Sequence, residues 1–143
     1  MSAFRQIVYI STAFPKLSAE QLDELASSAS ERNAKTGVTG LMVYGDGTFM
    51  QVFEGPPDVV GALYKAIRRD PRHRDIITLL DTIRPARDFG AWNMACAEAP
   101  DLALNEALID LRRHQDTVRE QFLTLGEFGR PLANMVDRIA AIA

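Results

Sequence analysis

Apolar and polar positions along this chain recur with two different periods. Residues 6–11 run through Ile7, Val8, Tyr9 and Ile10, a β-branched and aromatic stretch that predicts a strand. Phe14-Pro15 breaks it. Ser18-Ala19-Glu20-Gln21 then matches a capping box, in which the first and fourth side chains satisfy free backbone N–H groups at a helix start. Leu22, Leu25, Ala26 and Ala29 follow at helical spacing, and Asn33 continues their stripe as a polar amide at the end of an apolar face. Gly37 closes this helix, since glycine accepts the left-handed closing conformation. Residues 38–44 and 49–54 predict a hairpin around the tight connection Gly45-Asp46-Gly47. Gly55-Pro56-Pro57-Asp58 opens a second helix with Val59, Leu63 and Ile67 as its inner stripe, and Asp70-Pro71 ends it. Residues 76–83 predict a fourth strand, 84–90 a polar loop and 91–97 a short fifth strand.

The order is βαββαβ plus one strand, which predicts an α+β, ferredoxin-like sandwich: a five-stranded mixed sheet with two helices on one face. After Pro100 the pattern becomes helical throughout. Leu104, Leu108 and Leu111, then Val118, Phe122 and Leu125, then Leu132, Met135, Val136 and Ile139 recur at helical spacing, with Gly126, Gly129 and Pro131 between the last two groups. Residues 1–98 are expected to form one domain, and 99–143 a helical extension too short to be a second one. Its apolar stripes need a partner surface, either the open face of the sheet or another subunit.

Charge and cysteine content narrow the function classes. The 143 residues carry a formal net charge of −3, which does not suit a nucleic-acid footprint. Cys96 is the only cysteine, so no intrachain disulfide can form, which fits a reducing compartment. The N-terminus lacks a signal-peptide pattern, and no apolar run approaches the ~20 residues of a membrane span. A cytoplasmic protein without a membrane partner is expected. His73, His114 and Cys96 have no metal-ligand spacing, and neither a nucleophile motif nor a phosphate-binding glycine loop is present. An enzyme is therefore not expected. An acylphosphatase-like hydrolase would need an arginine-bearing anion loop after the first strand, and Ser11-Thr12-Ala13-Phe14-Pro15 supplies none.

Strand periodicity concentrates the chemistry. Ile7, Tyr9 and Ser11 share one face, as do Phe49, Gln51 and Phe53, and as do Trp92, Met94 and Cys96. With the first and third strands as central neighbours, Tyr9 and Gln51 lie side by side beneath the helices, and Asn33 looks down from the first helix. A phenol and one or two carboxamides in a mostly apolar pocket must be hydrogen-bonded, and a carboxamide can join a phenol to the edge of a heteroaromatic ring. Such a site suits a planar ligand with mixed donors and acceptors. Taken singly, Tyr9, Trp92 and Met94 read as core, Asn33 as a C-terminal cap or a solvated residue, and Arg72-His73 as a solvated cluster. Gln51 between two phenylalanines is the unusual residue, since glutamine is seldom fully buried. Glu54 beside Gly55 has a loop-hinge reading.

Several runs carry a family resemblance. Asn33-Ala34-Lys35-Thr36-Gly37-Val38-Thr39-Gly40-Leu41 resembles the asparagine and "ITG-L" segment of the BLUF family. Gly47-Thr48-Phe49-Met50-Gln51-Val52-Phe53-Glu54-Gly55 is similar to its "G-F-Q-LEG" segment, Asp70-Pro71-Arg72-His73 to its "D-RH" segment, and Phe89-Gly90-Ala91-Trp92-Asn93-Met94 to its "F-W-M" segment. Tyr9 completes the set, which covers roughly residues 4 to 97 in order.

The resemblance implies a blue-light photoreceptor that binds FAD without a covalent link, with another flavin such as FMN as the alternative. It makes Tyr9 the photochemical electron and proton donor, and Gln51 the bridge from Tyr9 to the flavin N5/O4 edge. Asn33 would bond the flavin ring. Arg32, Asp70, Arg72 and His73 would belong to the flavin site. Trp92 or Met94 would sit near Gln51 and relay its rotation or tautomerisation to the fifth strand. The fifth strand and the helical tail are the expected output. No effector domain follows in the sequence, so a separate effector protein and a homo-oligomer are expected, as in the family's short members. The rival reading is a light-independent, ferredoxin-like interaction module.

Overall fold

The computed structural model describes residues 3–45, 47–99 and 108–142. Asp46 of the tight connection, Pro100 and Leu104 of the tail's first stripe lie outside the described residues. Five strands, β1 (Phe4–Ala13), β2 (Thr39–Gly45), β3 (Thr48–Gly55), β4 (His73–Arg84) and β5 (Ala95–Glu98), form one sheet in the order β4-β1-β3-β2-β5. β1 runs antiparallel to β3 and β4, β2 antiparallel to β3, and β5 parallel to β2. The mixed, ferredoxin-like sheet is the one the element order predicts.

Helix α1 (Ala19–Thr36) starts where the capping box places it. The Ser18 side chain accepts from the Gln21 N–H at 3.1 Å, and Gln21 Oε1 accepts from the Ser18 N–H at 3.0 Å. Gly37 ends it at φ 77°, and the N–H groups of Gly37 and Val38 both close on the Asn33 carbonyl. Helix α2 (Pro57–Arg69) begins on its prolines. Both helices cover one face of the sheet: Leu22, Ala29, Val60 and Tyr64 pack with Ile7, Tyr9, Phe49 and Phe53.

The opposite face is covered by the tail. Helices α3 (Leu111–Leu123) and α4 (Gly129–Ile142) flank a 3-10 turn at Gly126–Phe128. Val118, Phe122, Leu132, Met135, Val136 and Ile139 pack on Val8, Ile10, Leu41, Val43, Met50 and Val52. Of the two partner surfaces open to the tail, it takes the free side of the sheet. Among the described residues, no helix is long and apolar enough to cross a membrane.

Four expectations need correction. β5 starts at Ala95 instead of residue 91, because the Asn93 carbonyl is taken by the Asn33 side chain at 2.7 Å. β4 starts at His73, three residues early, because its pairing with β1 reaches Ala13. In α2, Val60 and Tyr64 are the buried residues and Val59, Leu63 and Ile67 only partly so, a rotation that turns Leu63 and Ile67 toward the space between the helices. Gly129 and Pro131 do not separate helices; both lie in the first turn of α4, where proline's missing N–H costs nothing.

Candidate functional site

The two helices do not close over the sheet between them. They leave a slot between them, part of it open to solvent. Leu25 and Ala29 of α1 and Leu63, Ala66 and Ile67 of α2 form its apolar sides. Ala29 and Ala66 are small, which leaves room for a flat group between the helices.

Tyr9 and Gln51 form the floor. They are paired residues on β1 and β3 and are 4% and 7% exposed. The Tyr9 hydroxyl donates to Gln51 Oε1. Phe53, Tyr64 and His73 surround the Tyr9 ring, with centroids 6.3, 5.7 and 5.9 Å away. Burial pushes the Tyr9 phenol well above the ordinary tyrosine range, and nearby Tyr64 and Asp70 add to the effect. The hydroxyl therefore stays protonated and acts as a donor, so the carboxamide oxygen must face it.

Gln51 Nε2 then points the other way. Its recorded acceptor among the described residues is the Met94 thioether, at 3.7 Å. A thioether is a weak acceptor. A buried amide N–H with only a sulfur to meet can take a stronger acceptor from a ligand in the slot, and a heteroaromatic ring edge supplies one.

The titration of Tyr9 has a measurable consequence. An ordinary tyrosine ionises near pH 10. Folded protein holds the Tyr9 proton above that pH while the unfolded chain releases it. The stability tied to this group is complete below about pH 10 and falls above it, by up to about 1.4 kcal/mol per pH unit. Thermal denaturation between about pH 10 and 11 should show a shallower decline for Tyr9→Phe than for the wild type. Equal slopes would contradict a buried, protonated phenol.

The other sequence-derived residues are distributed as follows. Asn33 is buried on α1, lines the slot, and gives an Nδ2 hydrogen to the Asn93 carbonyl. Arg32 is exposed and lines the same slot. Asp70 and Arg72 line it as a pair: Arg72 Nε donates to Asp70 Oδ1 at 2.9 Å, and the Arg72 N–H caps the same oxygen at 2.9 Å. The guanidinium beside it holds the Asp70 carboxyl below the usual carboxylate range. His73 also lines the slot, with both ring nitrogens engaged: Nε2 meets the Ile67 carbonyl at 2.7 Å and Nδ1 meets Ser11 Oγ at 2.8 Å. A carbonyl only accepts, so Nε2 carries a hydrogen. His73 ties β1 to the end of α2.

Trp92 is the exception. It does not share a face with Met94. Its ring packs edge-on against Phe128 of the tail, centroids 4.9 Å apart, while Met94 belongs to the Tyr9 side. The alternation expected from a strand fails because residues 91–94 are not strand.

Sequence reasoning missed the groups that hold this irregular segment. Glu54 is fully buried and accepts from the N–H groups of Asp88, at 3.1 Å, and Phe89, at 2.6 Å. Arg87 reaches the Gly37 carbonyl at 2.6 Å and Thr39 Oγ1 at 2.8 Å. Glu54, a charge within the strand Thr48–Gly55, was the available signal.

Comparison with known proteins identifies the family and the fold. The family model described as BLUF, "Sensors of blue-light using FAD", matches residues 4–95. The chain is similar to the blue light- and temperature-regulated antirepressor BluF of Escherichia coli K12, with 40% identity over 87 residues, 61% of this chain and 21% of that protein. It is also similar to the photoactivated adenylate cyclase subunit beta of Euglena gracilis, with 41% identity over 110 residues, 73% of this chain and 12% of that protein. The chain thus spans under a quarter of the length of either relative. Among solved structures, BlrP1 BLUF superposes with a TM-score of 0.68 at 26% identity, covering 97% of this chain and 88% of that one. The dark-state structure of BlrB, at 23% identity and a TM-score of 0.65, covers 100% of this chain and 99% of its own and supports the fold. The chain belongs to the BLUF family, the sensors of blue light using FAD.

Proposed function

We propose that this chain holds FAD non-covalently in the slot between α1 and α2 and reports blue light through Gln51. The observation that carries the reading is the chain Tyr9 O–H, Gln51 carboxamide, Met94 sulfur along the floor of that slot. Asn33 supplies a second carboxamide beside it, and Arg32 supplies positive charge for phosphate groups, while the Arg72 charge is offset by Asp70.

A bound oxidised flavin would supply a blue-light-excited acceptor that borrows an electron and a proton and hands both back, so that it ends oxidised. Tyr9 is the residue placed to give both. Its proton already lies on a hydrogen bond to Gln51 Oε1. Loss of that proton removes the donor that orients the amide. Gln51 would then be free to turn about its last torsion, which is broad and two-fold, or to take the proton on Oε1 while releasing one from Nε2 as the imidic-acid tautomer, and it would keep that form once the electron and a proton return to Tyr9. Either change alters which amide atoms face the slot and which face Met94. In a desolvated network such a change carries real energy.

Residues 1–98 form the sensor in this reading, and 99–143 the extension that carries the output. BluF is named as an antirepressor and the Euglena proteins as cyclase subunits, so the same domain serves different outputs in its relatives. For this chain a separate effector protein, met by a homo-oligomer, is the output we assign.

Titration with FAD and with riboflavin, followed by flavin fluorescence, tests the site. Arg32→Ala should weaken FAD binding by about tenfold, the worth of a charge-assisted contact, and leave riboflavin binding unchanged. A chain that binds no flavin would contradict the reading and leave the light-independent interaction module.

A further inference from the structure

Gln51 and helix α4 lie on opposite faces of the sheet, yet one irregular segment touches both sides. Residues 85–94 connect β4 to β5. At the far end of this segment Met94 meets Gln51, and the Asn93 carbonyl accepts from Asn33. Just before them, Trp92 packs on Phe128 of the tail.

The near end of the segment is gripped at Asp88. Its N–H is bound by Glu54, and its carboxylate receives Gln6 Nε2 at 3.0 Å, Arg84 Nε at 3.2 Å and Arg138 Nη2 at 3.1 Å. Arg138, on α4, also donates from Nη2 to Gln6 Oε1 at 2.9 Å. Both of these contacts run through Nη2, and among the described residues the buried Nε of Arg138 has no hydrogen-bond partner.

Electrostatics make that contact matter. Gln6 Nε2 lies 3.0 Å from Glu54 Oε2 and 3.0 Å from Asp88 Oδ2, so a single amide group separates two carboxylates. Arg84 and Arg138 are the cations bound to Asp88. Without Arg138, Arg84 alone offsets the repulsion of the two carboxylates across Gln6, and Glu54 is buried within β3. Asp88 is the partner that can move, and the segment moves with it.

We propose that Arg138 is a positioning residue for the light switch, an inference that rests on the flavin site proposed above. Its hold on Asp88 sets the placement of residues 88–94 and hence the contacts that Met94 and Asn93 make with Gln51 and Asn33. Coupling between two sites is reciprocal, so rearrangement at Gln51 loosens α4 by the same free energy. The last helix of the tail is thus the element that light releases.

The test uses the 143-residue chain loaded with FAD and reads the rate at which the light-shifted flavin band recovers in the dark. Arg138→Gln and Asp88→Asn should each change that rate by about fivefold or more. The double variant should change it no further than one alone, since both cut the same contact. Arg138→Lys should restore part of the effect. Arg119→Gln is the control: it removes the 3.2 Å pairing with Asp137 inside the tail and leaves Asp88 untouched, so recovery should stay as in the wild type. An intact shift with unchanged recovery in Arg138→Gln, or an equal change in Arg119→Gln, overturns the inference and leaves the flavin switch standing. Absence of any shift in the wild type removes the switch and the inference together. If Arg138→Gln does not fold, amide exchange in the wild type decides. Faster exchange across residues 129–142 under light supports the hold, and an unchanged pattern overturns it.

Discussion

Gln51→Leu is expected to keep the flavin and lose the light-induced red shift entirely. Leucine has nearly the shape of glutamine and sits among Phe49, Met42 and Phe53 without strain. It removes the amide that receives the Tyr9 hydroxyl and the N–H that meets Met94. Nothing is then left at this position to rotate or to carry a proton. The buried Tyr9 hydroxyl also loses its acceptor, which should lower stability by about 1–3 kcal/mol without preventing folding. Tyr9→Phe should likewise keep the flavin and abolish the shift, from the donor side. Difference spectra of both variants before and after illumination are the measurement. A persistent red shift in Gln51→Leu would move the switch to another residue.

The largest expected loss of stability is at Glu54. Its carboxylate is fully buried and accepts from two backbone N–H groups and from Gln6 Nε2 at 3.0 Å. Glu54→Ala leaves the two backbone N–H groups unpaired, at about 1–3 kcal/mol each, removes one of the two acceptors of Gln6 Nε2, and opens a cavity. A total of about 4 kcal/mol or more is expected, a large part of the 5–15 kcal/mol that holds a domain folded. Glu54→Gln keeps one acceptor oxygen and should lose roughly half as much. Urea denaturation with an unchanged m-value checks both. A loss under about 1 kcal/mol in Glu54→Ala would show that residues 88–89 are held by something else.

The legible parts of this site were those set by local periodicity. Tyr9 and Gln51 could be placed together because strand faces alternate strictly and the element order fixes β1 beside β3. Asn33 was legible because the Leu22, Ala26, Ala29 stripe carries helical phase to it, and Gly37 marks where the helix stops. Asp70, Arg72 and His73 came through the resemblance of their run, and the slot includes all three.

The contacts that failed to show in the pattern depend on tertiary context. Trp92 and Met94 have strand spacing, but the Asn33 side chain takes the Asn93 carbonyl, and the segment leaves the sheet there. Tyr64 has no mark that distinguishes it from Leu63, and only the rotation of α2 puts its ring against Tyr9. The link from Arg138 to Gln6 spans nearly the whole chain. Apolar stripes in the tail predicted burial but could not name the surface, which is the β1, β2 and β3 face carrying Val8, Val43 and Met50.

The most direct test is the absorption spectrum of the FAD-loaded wild type before and after blue light. A flavin band that shifts to the red and returns in the dark is the predicted result, because the cofactor stays oxidised while its hydrogen bond to the protein changes. A band that bleaches, or one that light leaves unaltered, would contradict the switch at Tyr9 and Gln51.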